Sequence, residues 1–130
     1  MKISAFVKNG CEYQVSPVNS EIQTLRLKLG SMTVTGVYRE WLSSDPASKV
    51  LQKKRWTQLV NLWRMWRGNH LVMGDMNWDW LNAPTQHQAS LEPIRNQVLE
   101  KIIPSGWSQL LSTPTRHQRG QTPALLDHIY

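Results

Sequence analysis

Two adjacent runs of residues constrain the fold of this chain more than any other feature. In IQTLRLKL, residues 22–29, three leucines alternate with an arginine and a lysine, and this period of two predicts a strand with one apolar face. Gly30 and Ser31 then lead into MTVTGVY, residues 32–38, which is rich in β-branched side chains. Because so short a turn joins the two runs, we expect them to be antiparallel neighbours in one sheet.

The segment before these strands also has the composition of a strand. Residues 2–8, KISAFVK, contain branched and aromatic side chains, and Asn9-Gly10 follows them directly. Asn-Gly is a strong signal for a hairpin turn. The sequence therefore predicts a further strand over residues 2–8, ending in this turn.

The hydrophobic period becomes helical after residue 44. Asp45 is a good N-cap, and Pro46 suits the first helical position because its missing N–H costs nothing there. We expect this helix to end near Gly68, which suits the residue after a helix C-terminus. Its apolar positions recur at near-helical spacing: Val50, Leu51, Leu59, Val60, Leu62, Trp63 and Trp66.

Strand and helix patterns alternate in the second half of the chain. HLVM is a short apolar strand leading into Gly74 and Asp75, and residues 124–130, ALLDHIY, form another. Between them a second helix is predicted from near Ser90 and Pro93 to just before Pro104. We expect it to bury three side chains, those of Ile94, Val98 and Ile102. The pattern as a whole indicates an α/β or α+β layered domain.

Composition limits the kinds of protein that this chain resembles. Its 130 residues are enough for one domain with a real core. Fifteen Lys and Arg against nine Asp and Glu give a net charge of +6, which favours a polyanionic partner such as nucleic acid. A single cysteine, Cys11, excludes an internal disulfide framework and a Cys-rich zinc site. Without a membrane span or signal peptide, the chain is expected to be intracellular and not membrane-bound.

Polar residues follow the HLVM strand at a position where layered proteins often bind ligands. Asp75 and Asn77 are two residues apart, so on an extended segment they lie on the same side. A carboxylate there can hold a metal or activate water, and an amide can donate to a phosphate oxygen. The alternative is structural, with Asp75 capping a turn and Asn77 forming an Asx-turn. A calcium loop is excluded, because its sixth and twelfth positions are Trp80 and Gln86.

Three segments resemble one family of phosphodiesterases. HLVMGDMN resembles the Gly-Asp-x-Asn motif of the endonuclease/exonuclease/phosphatase superfamily, the DNase I-like nucleases. VTGVYREW, before it, resembles the strand that ends in a tyrosine, and PALLDHIY, after it, resembles the strand carrying an Ile/Leu-Asp pair. VYREW and LLDHIY together are most similar to the endonuclease domains of non-LTR retrotransposons. The three segments occur in the family's order.

The resemblance implies a role for four residues. Tyr38 would contact the scissile phosphate, Asp75 would orient and activate the attacking water, and Asn77 would donate to the phosphoryl group. Asp127 would orient a catalytic histidine belonging to a Ser-Asp-His motif that this chain does not contain. His128 is not assigned that role. Successive side chains of a strand point to opposite faces, so His128 points away from Asp127.

The resemblance also implies a cofactor and a partner. The cofactor would be Mg²⁺ or Mn²⁺, for which Asp75 is a candidate ligand, and the partner would be DNA, on which a retroelement enzyme acts in the nucleus. Basic residues near the motifs are candidate phosphate contacts. They are Arg39, Arg116, His117 and Arg119, with Trp41 as a candidate DNA contact or packing residue.

The chain departs from the family pattern before Tyr38. No segment there resembles the strands that carry the family's asparagine and metal-binding glutamate, and Glu12 and Glu21 lie in a different context. We therefore expect residues 1–130 to form one partial domain, a DNase I-like four-layer β-sandwich flanked by helices and incomplete at both ends. Such a fragment of a DNA endonuclease should cleave weakly. The alternative is a non-catalytic remnant or a nucleic-acid-binding module on the same scaffold.

Overall fold

A five-stranded sheet is the central element of the computed structural model, which describes residues 3–40 and 45–130. The strands lie side by side in chain order, and every neighbouring pair is antiparallel except the third and fourth, which are parallel. With its helices this makes a mixed α/β fold, as the sequence predicts. The strands are β1 (Gln14–Ser16), β2 (Gln23–Leu29), β3 (Met32–Tyr38), β4 (Asn69–Asp75) and β5 (Asp127–Ile129).

The predicted hairpin between residues 22–29 and residues 32–38 is confirmed. β2 and β3 pair along their whole length, from Leu29 opposite Met32 to Gln23 opposite Tyr38. Gly30 makes the turn with a φ of 59°, in the left-handed region that glycine adopts without strain.

The prediction of a strand over residues 2–8 is wrong for the part that is described. The turn at Asn9-Gly10 does form, with the Cys11 amide donating to Lys8 O at 3.1 Å. However, residues 3–8 do not pair with the sheet, whose first strand in chain order is β1. They lie against the sheet instead, where the Ile3 side chain approaches Gly36.

Helix α1 (Pro46–Trp63) connects the parallel strands β3 and β4, as parallel pairing requires. It begins as predicted, since the Asp45 carboxylate accepts a hydrogen bond from the Ser48 amide at 2.9 Å. Its buried residues are Trp56, Leu59, Val60 and Trp63.

Both ends of the predicted apolar pattern of α1 need correction. Val50 is 70% exposed and Leu51 is also exposed, because both lie away from the buried stripe of α1 around the helix axis. The helix ends at Trp63 and not next to Gly68. Gly68 has a φ of 80° and belongs to the turn that leads into β4.

The second helical segment contains three kinds of helical turn. A 3₁₀ segment (Gln86–Leu91) leads into α2 (Glu92–Gln97), which continues as a π-helical turn (Val98–Ile102) and a last 3₁₀ turn (Ile103–Ser105). The predicted burial of Ile94, Val98 and Ile102 is confirmed. Pro104 does not lie beyond the helix as expected. It lies in the first residues of the last turn, where a missing N–H is tolerated.

The helices pack against one face of the sheet and form the core with it. Val37 and Val72, from the two parallel strands, share this core with the buried residues of both helices. The Trp56 indole also donates to Ile94 O at 3.0 Å, which joins α1 to α2. Within the described ranges no helix is long and apolar enough to span a bilayer.

The opposite face of the sheet is apolar but less completely covered. Leu25, Val34 and Met73 are only partly buried there. Together with residues 3–5 they line a cavity of about 320 Å³.

Truncation of two α1 side chains tests which face of the helix holds the fold. We expect Leu59→Ala to lower the free energy of unfolding by roughly 2–5 kcal/mol, because the side chain is fully buried. Val50→Ala in the same helix should change it by about 0.5 kcal/mol or less. Urea denaturation of the two variants measures both values, and equal losses would contradict the described orientation of α1.

Candidate functional site

Three of the predicted site residues lie in one row across the end of the sheet. Tyr38, the last residue of β3, is paired with Asp75 at the end of β4, and Asp75 is paired in turn with Asp127 on β5. Their strand neighbours Val37 and His128 are buried on the helix side, so alternation places these three side chains on the other face. We call Tyr38, Asp75 and Asp127 the site row.

Gly74 allows the site row to form. Its φ is 148°, and a Cβ atom at this position would lie 1.8 Å from the carbonyl oxygen of Val37. Any other residue would therefore push β4 away from β3 beside Tyr38 and Asp75. This close approach gives a physical reason for the glycine of the GDMN motif.

The residues after Asp75 form a tight turn that the Asp75 carboxylate caps, which is one part of the structural alternative considered for this motif; the Asx-turn is made by Asp75 and not by Asn77. The Asn77 amide donates to Asp75 Oδ1 at 3.0 Å, and Asn77 has a left-handed backbone with a φ of 51°. Its side chain is only 8% exposed, and its Nδ2 donates to Arg39 O at 2.7 Å. The amide expected to donate to a phosphoryl group is thus directed into the protein.

Arg39 lies inside the protein and not on a DNA-binding surface. It is 3% exposed, and its guanidinium donates to the carbonyl oxygens of Met76 and Asn77 and to Gln52 Oε1. The prediction that Arg39 contacts DNA does not fit this position. Arg39 is buried because the inward-facing carbonyl groups of the turn need a hydrogen-bond donor. Trp41, the neighbouring candidate, lies outside the described residues.

Burial and charge make Asp75 unusual among the acidic residues. Partial burial raises the pKa of its carboxyl group, and the Asp127 carboxylate across the strand pair raises it further. The Asn77 amide and the charges of Arg116 and Arg39 oppose this increase. Asp75 is therefore a carboxylate with a raised proton affinity, suited to take a proton from water or to bind a cation.

Asp127 is exposed and is anchored through its backbone. Its amide, like that of Leu126, donates to Thr115 Oγ1, at 3.1 and 3.2 Å. The adjoining loop returns along this segment, with Arg116 and Ala124 hydrogen-bonded to each other in both directions. Thr115 thus ties the loop that carries Arg116 to the strand that carries Asp127.

Arg116 is the exposed basic candidate whose charge acts on a residue of the site row. Arg116, His117 and Arg119 are all exposed, and Arg116 is the one whose charge acts on Asp75. Arg116 also borders a cleft of about 510 Å³ beside Asn77, together with the amide side chains of Gln88 and Gln121. The loop therefore presents a cation next to the site row.

His128 has a structural role, in agreement with its predicted position on the other face. Its ring is fully buried, and Nε2 lies 3.0 Å from both Trp78 O and Leu125 O. Because carbonyl oxygens only accept, Nε2 carries the hydrogen, and Nδ1 accepts from the Tyr130 hydroxyl at 2.9 Å. Trp78 packs edge-on against this ring, which makes it a core residue rather than a stacking platform for DNA.

The other acidic residues do not complete a metal site with Asp75. Glu21 forms an ion pair with Arg55 at 3.1 Å, and Glu12 is exposed before β1. Across residues 3–40 and 45–130, no three side chains of His, Cys, Asp or Glu come close enough together to hold a metal ion. Asp75 and Asp127 are the two carboxylates that the fold brings together at this edge.

Comparisons of the chain with known proteins give no match, whether with protein-family models, curated proteins or solved structures. The chemistry of the site row must therefore be argued from its own geometry and charge. Sequence reasoning missed two contributors, Gln52 and Thr115. Both lie far from the motifs along the chain, and neither carries a local pattern that predicts a hydrogen bond to them.

Acidification should destabilise the fold through His128. Burial lowers the pKa of this histidine from 6.5 to about 4, so protons bind the unfolded chain more tightly and the free energy of unfolding falls as the pH drops from about 6.5 to about 4. The His128 contribution to this loss is roughly 3 kcal/mol. Denaturant titrations at several pH values should show a flatter dependence for His128→Gln. The exposed control His117→Gln should keep the wild-type dependence, and identical curves for wild type and His128→Gln would contradict this assignment.

Proposed function

We propose that the site row belongs to a metal-dependent phosphodiesterase site, and that the chain represents a DNA endonuclease of the retroelement type. The observation that supports this most is the register of three strands. It brings a tyrosine hydroxyl and two carboxylates from positions 38, 75 and 127 to one edge of the sheet. These are the positions that the sequence motifs single out.

Each member of the row suits one task in phosphodiester hydrolysis. The Tyr38 hydroxyl would contact the phosphate, and Asp75, with its raised pKa, would orient the attacking water and take its proton. Asp127 would orient a general acid or base on the solvent side, where it is exposed.

A divalent cation fits the charge of this site. Asp75 and Asp127 lie opposite each other, and the Asp127 carboxylate makes ionisation of Asp75 less favourable. Mg²⁺ commonly binds through one or two carboxylates and keeps several waters, so Asp75 would hold Mg²⁺ or Mn²⁺ beside Asp127. When bound, the ion would supply positive charge to the phosphate.

The finer fold proposal, a DNase I-like four-layer sandwich, is supported by the second face of the sheet. Helices cover one face, and the other carries the partly buried apolar side chains of Leu25, Val34 and Met73. A sheet with two apolar faces requires a layer on each side. A second sheet on this face would complete such a sandwich.

Removal of the Asp75 charge tests the proposed activity. We expect Asp75→Asn to lower Mg²⁺-dependent nicking of supercoiled plasmid by at least about 100-fold, because the amide cannot accept a proton from water. Since no segment matches the family's metal-binding glutamate, nicking by the 130-residue chain should be slow. The assay therefore uses protein in excess over plasmid and measures relaxed product on a gel.

Two results bound this test. Glu100→Gln, which also replaces a carboxylate with an amide, at an exposed site on the π-helical turn, should leave the nicking rate unchanged. Equal nicking by wild type and Asp75→Asn would exclude the proposed role of Asp75.

A second candidate function is DNA binding without cleavage on the same scaffold. The observation that favours it is the inward direction of the Asn77 amide, whose Nδ2 is engaged by Arg39 O. A net charge of +6 would support binding of this kind without chemistry.

Salt dependence tests which basic residue contacts the phosphates. We expect Arg116→Gln to reduce the slope of log affinity against log salt concentration by about one, because one phosphate contact is lost. Fluorescence anisotropy with a short labelled duplex measures this slope. Lys53→Gln, on the exposed face of α1, is the matched control, and an unchanged slope for Arg116→Gln would remove Arg116 from the proposed interface.

A further inference from the structure

The turn after Asp75 contains one internal hydrogen bond, from the Asn77 amide to Asp75 Oδ1, and depends on further contacts outside it. Asn77 has a positive φ, which asparagine tolerates better than most residues but glycine prefers. The carbonyl groups of Met76 and Asn77 belong to buried residues. Such groups need donors within the protein, because burial separates them from water.

Arg39 provides these donors and is itself held by the turn. Its guanidinium donates to both carbonyls, its own carbonyl accepts from Asn77 Nδ2 at 2.7 Å, and its amide donates to Asp75 O at 3.0 Å. These four hydrogen bonds connect the residue after Tyr38 with all three residues of the Asp75–Asn77 turn. Gln52 on α1 fixes the orientation of the guanidinium through a hydrogen bond of 3.2 Å.

The positive charge of the Arg39 guanidinium is not needed to satisfy the carbonyl groups of the turn. A neutral donor would satisfy the two carbonyls without the cost of burying a cation. The three groups that accept from the guanidinium are amide oxygens, not carboxylates. The negative charge that stabilises the buried cation is that of Asp75, at longer range. Arg39 thus joins the geometry of the turn to the charge of the site row.

We propose that Arg39 is a positioning residue, which holds the Asp75–Asn77 turn in the arrangement that aligns Asp75 with Tyr38 and Asp127. Its part in catalysis rests on the function proposed above. Its effect on the turn does not depend on that function.

Hydrogen exchange of the whole chain, followed by NMR without metal or DNA, tests the structural part. We expect Arg39→Met to speed exchange of the Met76 and Asn77 amides by at least about tenfold, while the amides of β2 change by about twofold or less. Arg39→Lys should give an intermediate effect, because an ammonium group cannot reach both carbonyls with the fork of a guanidinium. Arg64→Met, which removes an exposed arginine at the end of α1, is the control and should change neither set.

Gln52→Leu provides a second, milder variant. It keeps Arg39 and removes the hydrogen bond that orients the guanidinium, so it should speed exchange at Met76 and Asn77 by about threefold. If Arg39→Met does not fold, Arg39→Lys and Gln52→Leu decide the question. Exchange at Met76 and Asn77 that stays within about twofold of wild type in every folded variant would overturn the proposal.

The catalytic part is tested separately by single-turnover nicking at several protein concentrations. A positioning role predicts that Arg39→Lys lowers the maximal nicking rate but leaves the protein concentration for half-maximal rate unchanged, since Arg39 does not reach DNA. A change in that concentration with no change in rate would instead indicate a DNA contact and overturn the proposal. Absence of nicking by the wild type would contradict the proposed function and the catalytic role, while the exchange measurement still decides whether Arg39 holds the turn.

Discussion

The parallel pairing of β3 and β4 is the constraint on which the rest of the structure depends. Parallel strands need a long crossover, and α1 supplies it while covering one face of the sheet. The same pairing ends with Tyr38 beside Asp75, so one strand pair determines both the core and the candidate site. Gly74 makes the final approach possible, because no side chain fits between it and Val37.

The elements that sequence predicts well are those specified by local patterns. The alternation in β2, the β-branched composition of β3, the turn at Gly30, and the Asp45 cap with Pro46 are each a local physical signal, and each predicted element is present. Residues 3–8 have equally suitable side chains for a strand. They form none in the described sheet, because strand formation depends on a pairing partner and not on side-chain composition alone.

The sequence likewise predicts the position of some residues of the candidate site and not of others. A strand end and a period of two are enough to predict that Asp75 projects from the sheet, while Asp127 is a candidate through the family resemblance. The register places the two residues opposite each other. The same period misplaces Asn77, because a left-handed residue does not continue the alternation of a strand. The predicted position of Arg39 is wrong for a related reason. A charged side chain is expected at the surface, and the carbonyl groups that accept its hydrogen bonds come together only in the folded turn. The sequence does carry one signal for the turn. An asparagine two residues after an aspartate at a strand end is a pattern that Asx-turns favour.

The charges around Asp75 are arranged on two sides with different mobility. Arg39 is buried and held by three acceptors, so its charge is a fixed part of the site. Arg116 is exposed on a loop and lowers the pKa of Asp75 through its charge, so another anion can compete for this charge at a small energetic cost. A phosphate that draws Arg116 away would leave the Asp75 and Asp127 carboxylates with less positive charge nearby. In the proposed phosphodiesterase site this loss of positive charge would favour a divalent cation beside the two carboxylates, so phosphate and metal would bind together better than either alone.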